Sequence, residues 1–352
     1  MKWKWLALPL LICSLFLVAC QNKQVVKDSL PVIEKPLIRT ETLLHTVVQI
    51  SIYHKDQEEA MEAGLAYVKE MERLLSTNLE GSDVYRINHA AGKEAVKVDP
   101  RTFELIERAL KTSEESQGRF DISIGVVNNL WKIGSEDARK PSDAEIKEAL
   151  PYINYKDVQL DKKNQTVAVK NGMVLELGAI SKGYIADGLK KLFAEKGITT
   201  AIINLGGNVV VMGTSPAHKE GWKVGVQDPD QVRGTVVGSV YVVDGSVVTS
   251  GIYERYLEVD GVIYHHILDP ATGYPVENAI SGVTVFTKTS TQGDALSTTL
   301  FLLGIDKGME FIDQLDDVEA IFIDKDRGVH VSKGLKERFE LNNKEYHLVN
   351  GQ

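Results

Sequence analysis

The sequence predicts an α+β fold, mostly antiparallel sheets with helices packed on them. Two observations carry this. From residue 157 onward, β-rich runs follow one another across short turns, which only antiparallel pairing allows. Segments with helical apolar spacing accompany them at residues 57–75, at 100–117 and after Ser181. Alternating strands and helices also suit a doubly wound sheet, but its parallel pairs need long crossovers. The 352 residues allow one large domain or two interleaved ones.

The N-terminus reads as a targeting segment. Lys2 and Lys4 precede an apolar run, Leu6 to Ala19, broken only by Ser14 and Pro9. That run is short for a bilayer span and has the length of a signal-peptide core. It ends in Leu17-Val18-Ala19-Cys20 before polar Gln21-Asn22-Lys23, which resembles a bacterial lipobox with Cys20 as the lipidated residue. The expectation is a signal peptide over 1–19 and a cell-membrane protein held by lipid on the extracytoplasmic face. The only other cysteine, Cys13, lies inside the apolar run, so the mature chain is expected to have no disulfide. Net charge is −9; without residues 1–19 two lysines and no acids are lost, leaving −11. An acidic domain without a basic patch argues against nucleic acid as a partner. It would also repel a polyphosphate ligand unless a divalent cation intervened.

Residues 20–40, polar with Pro31 and Pro36, read as a tether. A domain over 41–340 and a tail over 341–352 follow. Thr42–His54 is rich in β-branched residues and reads as a strand. Residues 57–75 place Met61, Leu65, Val68 and Leu75 on one helical face. A small polar loop, 76–83, comes next. Residues 100–117 form a helix opened by Pro100 and closed before Gly118. Ser142 with Glu145 is a capping-box pattern for a helix near 142–150. Short β-like pieces fill 157–177. Leu175–Leu177, a glycine-bearing loop and a helix from Ser181 or Lys182 to Gly197 make a strand–loop–helix unit. Such a unit is either a plain tight turn or an anion site at a helix N-terminus, with Lys182 adding charge.

Ile202–Val210 holds Gly206-Gly207 between β-like runs, either a hairpin or a place where backbone approaches a flat ligand. Strands are expected near 222–228, 235–243, 246–249 and 280–287. Asp294 and Thr298 stand four apart at a helix start and so share a face. Their hard oxygens suit Mg²⁺; the plain alternative is a helix start with a buried Thr. A helix at 305–315 and a strand pair within 319–332 complete the core. Between these lies Tyr264–Pro275, where a β-like run meets Asp269-Pro270, Thr272-Gly273 and Pro275. Two histidines and an aspartate there sit on fixed backbone, either as a site or as a structural turn with a surface His pair.

Six short runs then occur in order: GRFD at 118–121, ELGAISKGY at 176–184, NLGG at 204–207, TSGIYER at 249–255, HILDPATGYP at 266–275 and DALST at 294–298. Together, behind a lipobox, they resemble the ApbE family, the FAD:protein FMN transferases, over residues from about 40 to about 335. The resemblance implies a flavin cleft between two lobes. It implies an enzyme that, with Mg²⁺, moves the FMN half of FAD to a Thr or Ser hydroxyl of an acceptor protein and releases AMP. The acceptor would be a flavoprotein such as an extracytoplasmic redox protein or a respiratory-complex subunit. FAD hydrolysis to FMN and AMP, or FAD binding without turnover, are the rival functions.

Carried over by position, the resemblance places metal ligands at the Ala179 carbonyl, Asp294 and Thr298. Flavin and adenine contacts fall on Leu44, Asn78, Arg119, Phe120, Asp121, Glu176, Lys182 and Leu268. His266 matches the proposed base. The chain departs from the family at Leu44-His45-Thr46, where Met-Gly-Thr is frequent, and at Asn78, where Tyr is common. It departs also at Glu176 in place of Asp and at Ser181 in place of Ala before Lys-Gly.

Overall fold

In the computed structural model, which describes residues 30–349, nine strands form a central sheet. Their spatial order is Val32–Leu43, Thr46–His54, Ala201–Leu205, Asn208–Met212, Ser246–Gly251, Ile280–Thr287, Glu319–Asp324, Gly328–Val331 and His347–Leu348. Every neighbouring pair is antiparallel except the last, Gly328–Val331 with His347–Leu348. The antiparallel α+β expectation therefore holds over the doubly wound one. The central strand Ile280–Thr287 is buried at all eight positions. Both faces are covered, and neighbouring residues divide between two cores. Val283, Val285, Ala320 and Phe322 meet Leu300 and Phe301 of the helix Ser290–Leu303. Phe286, Ile321 and Ile323 meet Trp222, Val237, Val240 and Phe339 of the three-stranded sheet on the other side. Period-two alternation in strands puts successive side chains on opposite faces, so one strand serves two cores.

A larger cluster joins the first strands to two helices. Glu58–Leu75 contributes Met61, Leu65, Val68 and Leu75, the expected face, and Ser181–Glu195 contributes Ile185, Leu189 and Phe193. Gly197 follows the second helix at φ +83°, a left-handed conformation suited to glycine. Ser142 and Glu145 make the reciprocal bonds of a capping box on Asp143–Ala149.

The structure revises several boundaries. Thr42–His54 is not one strand: it turns at Leu44-His45, both at positive φ (55° and 54°), a two-residue turn of the kind that matches strand twist. The arm leading into that turn, Val32–Leu43, lies mostly in the region read as tether. It is an edge strand, where proline is tolerated, and the pairing slips between Val32 and Leu37, where Pro36 sits. At the other end, residues 341–352 do not begin as a free tail. Tyr346 is buried and donates its hydroxyl to Asp228 at 2.6 Å. The run MVLEL makes no strand; Val174 has only an isolated bridge to Ile124. Residues 1–19, and Cys20 with them, lie outside the described residues. No helix among the described residues is long and apolar enough to cross a membrane.

Candidate active site

Two helices start side by side. Gly183, in the first turn of Ser181–Glu195, lies against the start of Ser290–Leu303; a Cβ there would stand 2.1 Å from the Ser290 carbonyl oxygen and 2.8 Å from the Asp294 Cβ. Only glycine fits. The Gly183 N–H does not reach back to the carbonyl four residues earlier, Ala179. It donates to Asp294 Oδ2 at 2.9 Å. The Ala179 oxygen consequently receives no backbone N–H from the described residues. Lys182 spans the same gap: its ammonium donates to the Gly178 carbonyl at 3.1 Å and pairs with Asp294 Oδ1 at 3.7 Å.

The Ser290–Leu303 helix is apolar and almost wholly buried, so its few polar groups are informative. Thr291, Ser297 and Thr299 donate their hydroxyls to Asp187, the Asp294 carbonyl and the Ala295 carbonyl. The Ser290 hydroxyl is enclosed without a partner. Thr298 is half-buried, and its hydroxyl bonds to no other described residue. Thus Ala179 O, Asp294 and Thr298 Oγ1 are oxygens the protein leaves wholly or partly unspent. A cationic group, the Lys182 ammonium, already bridges the loop carbonyl and the carboxylate. This donor set fits a hard cation such as Mg²⁺. No group of three or more His, Cys, Asp or Glu side chains that could hold a metal occurs among the described residues; the oxygens gathered here are a carbonyl, a carboxylate and a hydroxyl.

His266 follows the strand Val262–His265. Its backbone N–H and its Nδ1–H both donate to the Arg255 carbonyl, at 3.1 and 3.2 Å. That acceptor fixes the tautomer and leaves Nε2 with a free lone pair. Burial, reinforced by the charges of Arg255 and Lys182, pulls the imidazole pKa down to about 4. His265 points the other way. Its Nε2–H donates to Val276 O at 3.0 Å, its Nδ1 accepts the Ile267 N–H, and its ring packs edge-on to Phe301. The alternation of a strand thus separates a structural histidine from an available one.

The turn beyond His266 is bolted in place. Asp269 accepts Ala271 N–H on its side chain and the Thr272 and Gly273 N–H groups on its carbonyl. Gly273, at φ +72°, offers its carbonyl to Trp131 Nε1 at 2.8 Å. Arg119 pairs with Asp269 at 3.5 Å, joining GRFD to this turn. A cleft of about 380 Å³ opens beside them, lined by Gly118, Asn154, Tyr155, Pro270 and Ala271 among others.

A model of the ApbE family matches residues 44–322. The chain belongs to the ApbE family. It is 37% identical over 308 residues to a protein of Klebsiella pneumoniae (strain 342) named FAD:protein FMN transferase, covering 87% of this chain and 95% of that one. A namesake in Treponema pallidum (strain Nichols) is 34% identical, covering 86% and 88%. Among solved structures, an ApbE protein from Thermotoga maritima superposes with TM-score 0.79 at 35% identity, covering 86% of this chain and 99% of that one.

Against the ApbE expectations, the structure gathers Ala179, Lys182 and Asp294, with Thr298 one helical turn beyond. Glu176 stands near, its Oε1 accepting Gly178 N–H at 2.7 Å; burial raises its pKa against that bond and the Lys182 and Arg255 charges. Three expected flavin contacts have side chains already committed to the protein. Phe120 is in the main core, and Leu268 packs with Val127, Trp131 and Ile146. Asp121 is buried and accepts from Ser123 N–H, Ser123 Oγ and Tyr155 N–H. Their motif positions hold turns that carry Arg119 and Asp269. Leu44 and Asn78 both stand at the helix Glu58–Leu75: Leu44 N–H bonds to Glu72, and exposed Asn78 follows the helix end. Sequence reasoning missed two residues. Arg255 orients His266 through its carbonyl, although its run TSGIYER was noticed. Asp187 caps the neighbouring helix, a role no local pattern announces.

Proposed function

We propose that this protein is an FAD:protein FMN transferase. It moves FMN from FAD to a Thr or Ser hydroxyl of an acceptor protein. The acceptor oxygen attacks the FMN phosphorus, the bond to the AMP oxygen breaks, and AMP leaves. The hydroxyl proton goes to His266 Nε2. The observation that carries the reading is that free lone pair, held within reach of the Lys182 and Arg255 charges by a backbone carbonyl that dictates the tautomer. General-base assistance of this kind is worth roughly 10²–10⁴-fold. Phosphoryl transfer otherwise asks for positioning and charge neutralisation. Ala179 O, Asp294 and Thr298 would hold Mg²⁺, which when bound offsets the pyrophosphate charge that an acidic domain repels. Arg119, free on its outer side, and Lys182 supply further positive charge. Cys20 would anchor the domain by lipid to the extracytoplasmic face of the cell membrane.

The experiment is incubation with FAD, Mg²⁺ and a candidate acceptor, reading covalent flavin fluorescence on the acceptor and AMP in solution. Labelling with equimolar AMP supports transfer. AMP and free FMN in equal amounts with or without acceptor would make the protein an FAD pyrophosphatase. FAD retained with no AMP would reduce it to a binding protein.

A further inference from the structure

Asp187 belongs to the helix Ser181–Glu195 but closes the end of another. Its Oδ1 accepts the Ser290 N–H at 2.8 Å, and its Oδ2 accepts the Thr291 N–H at 2.8 Å and the Thr291 hydroxyl. The residue preceding that helix, Thr289, makes no side-chain cap of its own. The cap comes instead from 103 residues away. One turn earlier on the capping helix, Gly183 gives its N–H to Asp294. The exchange is reciprocal: each helix start lends a carboxylate that accepts N–H groups of the other. The two rungs, 183 with 294 and 187 with 290, lie one helical turn apart on both helices. They therefore fix the antiparallel register of the two helix starts as well as their spacing.

We propose that Asp187 is a positioning residue for the cation site. It sets where the Asp294–Thr298 face stands relative to the Ala179 carbonyl, without touching the ion. This rests on the reading that Ala179, Asp294 and Thr298 hold a divalent cation. A small hard cation demands near-ideal octahedral geometry at short distances. A carboxylate from one helix and a carbonyl from another meet that demand only if the helices cannot slide. The Gly183 rung alone is a single bond about which the Ser290 helix start would pivot. The Asp187 rung removes the pivot. Substituting Asp187→Asn would put an amide N–H against one of the N–H groups it now accepts, breaking one bond without removing volume.

The test is a titration of metal-free protein with Mn²⁺ followed by electron paramagnetic resonance, with thermal unfolding measured in the absence of metal. Outer partners of metal ligands typically change affinity by about 10–100-fold. Asp187→Asn is expected to weaken Mn²⁺ binding by at least about tenfold, and Thr291→Val, which removes only the hydroxyl bond, by less. Wild-type Mn²⁺ affinity in Asp187→Asn overturns the inference, whatever happens to the melting temperature, because a merely structural cap would move melting alone. If Asp187→Asn does not fold, unchanged Mn²⁺ affinity in Thr291→Val overturns it in the same way. A wild-type protein that binds no Mn²⁺ would instead remove the cation-site reading itself, and this inference with it.

Discussion

Replacing Gly183 by alanine sets two physical effects against each other. In an exposed helix the change would gain roughly 1 kcal/mol, because glycine loses more backbone freedom on ordering. Here the new methyl would lie 2.1 Å from the Ser290 carbonyl oxygen. Restoring an ordinary contact requires the two helix starts to part by roughly 1 Å. Both belong to a packed interior, where overfilling costs roughly 1–3 kcal/mol. The Gly183 N–H bond to Asp294, a hydrogen bond to a charged acceptor worth about 1.5–3 kcal/mol, would stretch or break. The net expectation is a loss of roughly 2–4 kcal/mol, read as a melting temperature several degrees lower. Transfer activity should fall further than stability, since the same shift separates Asp294 from the Ala179 loop. Gly188→Ala, in the same helix, is the control: the methyl would meet the Tyr67 hydroxyl at 2.0 Å, the far end of a side chain that can swing aside. A Gly183→Ala protein that melts at or above the wild-type temperature and keeps its activity would refute the reasoning, because no rigid contact could then stand where the structure puts one.

His266→Asn should retain FAD binding and lose acceptor labelling by about 10²–10⁴-fold, while His265→Asn should lower the melting temperature instead, because that ring is spent on Val276 and Ile267. The base acts in its neutral form, and its pKa is depressed to about 4, so kcat/KM should stay level as pH falls from 8 to about 5 and drop only below that; a midpoint near the ordinary histidine value of about 6.5 would show that Nε2 is not the desolvated group described. Asp294→Asn should abolish Mg²⁺-dependent turnover of FAD, and wild-type rates at limiting Mg²⁺ would sink the ligand assignment. Cys20→Ala should shift the protein from the membrane to the soluble fraction, or leave it as precursor, with catalysis by the purified domain intact.

Much of this architecture was legible in the chain because it rests on local pattern. The faces of Glu58–Leu75 and Ser181–Glu195 follow helical spacing, and the Ser142 cap follows from two residues three apart. What escaped depends on distant partners or on rules with exceptions. Val32–Leu43 looked like a tether because it carries Pro36 and alternating charges, yet an edge strand tolerates both. The hairpin Tyr256–Val259 with Val262–His265 was missed although Asp260-Gly261 between them is a strong turn signal. At the site, Asp294, Thr298, Lys182 and His266 were visible as motif residues. For Phe120, Asp121 and Leu268 the motif recorded position and not direction: their side chains serve the core and the turns. Asp187 and the Arg255 carbonyl could not be read at all, since one acts across 103 residues and the other through backbone.

The early start of the first strand bears on where the enzyme can work. With the anchor proposed at Cys20, only eleven residues, 21–31, separate the lipidated residue from Val32, the first residue of the sheet. A fully extended chain advances at most about 3.3–3.6 Å per residue, so the leash is no longer than about 40 Å. The catalytic domain would patrol a thin layer over the bilayer. An acceptor embedded in the same membrane would meet it at a high local concentration, while one diffusing freely would have to enter that layer. Lengthening the leash with a flexible insert before Leu30 would dilute the enzyme over a deeper volume and slow labelling of membrane-bound acceptors without touching the chemistry.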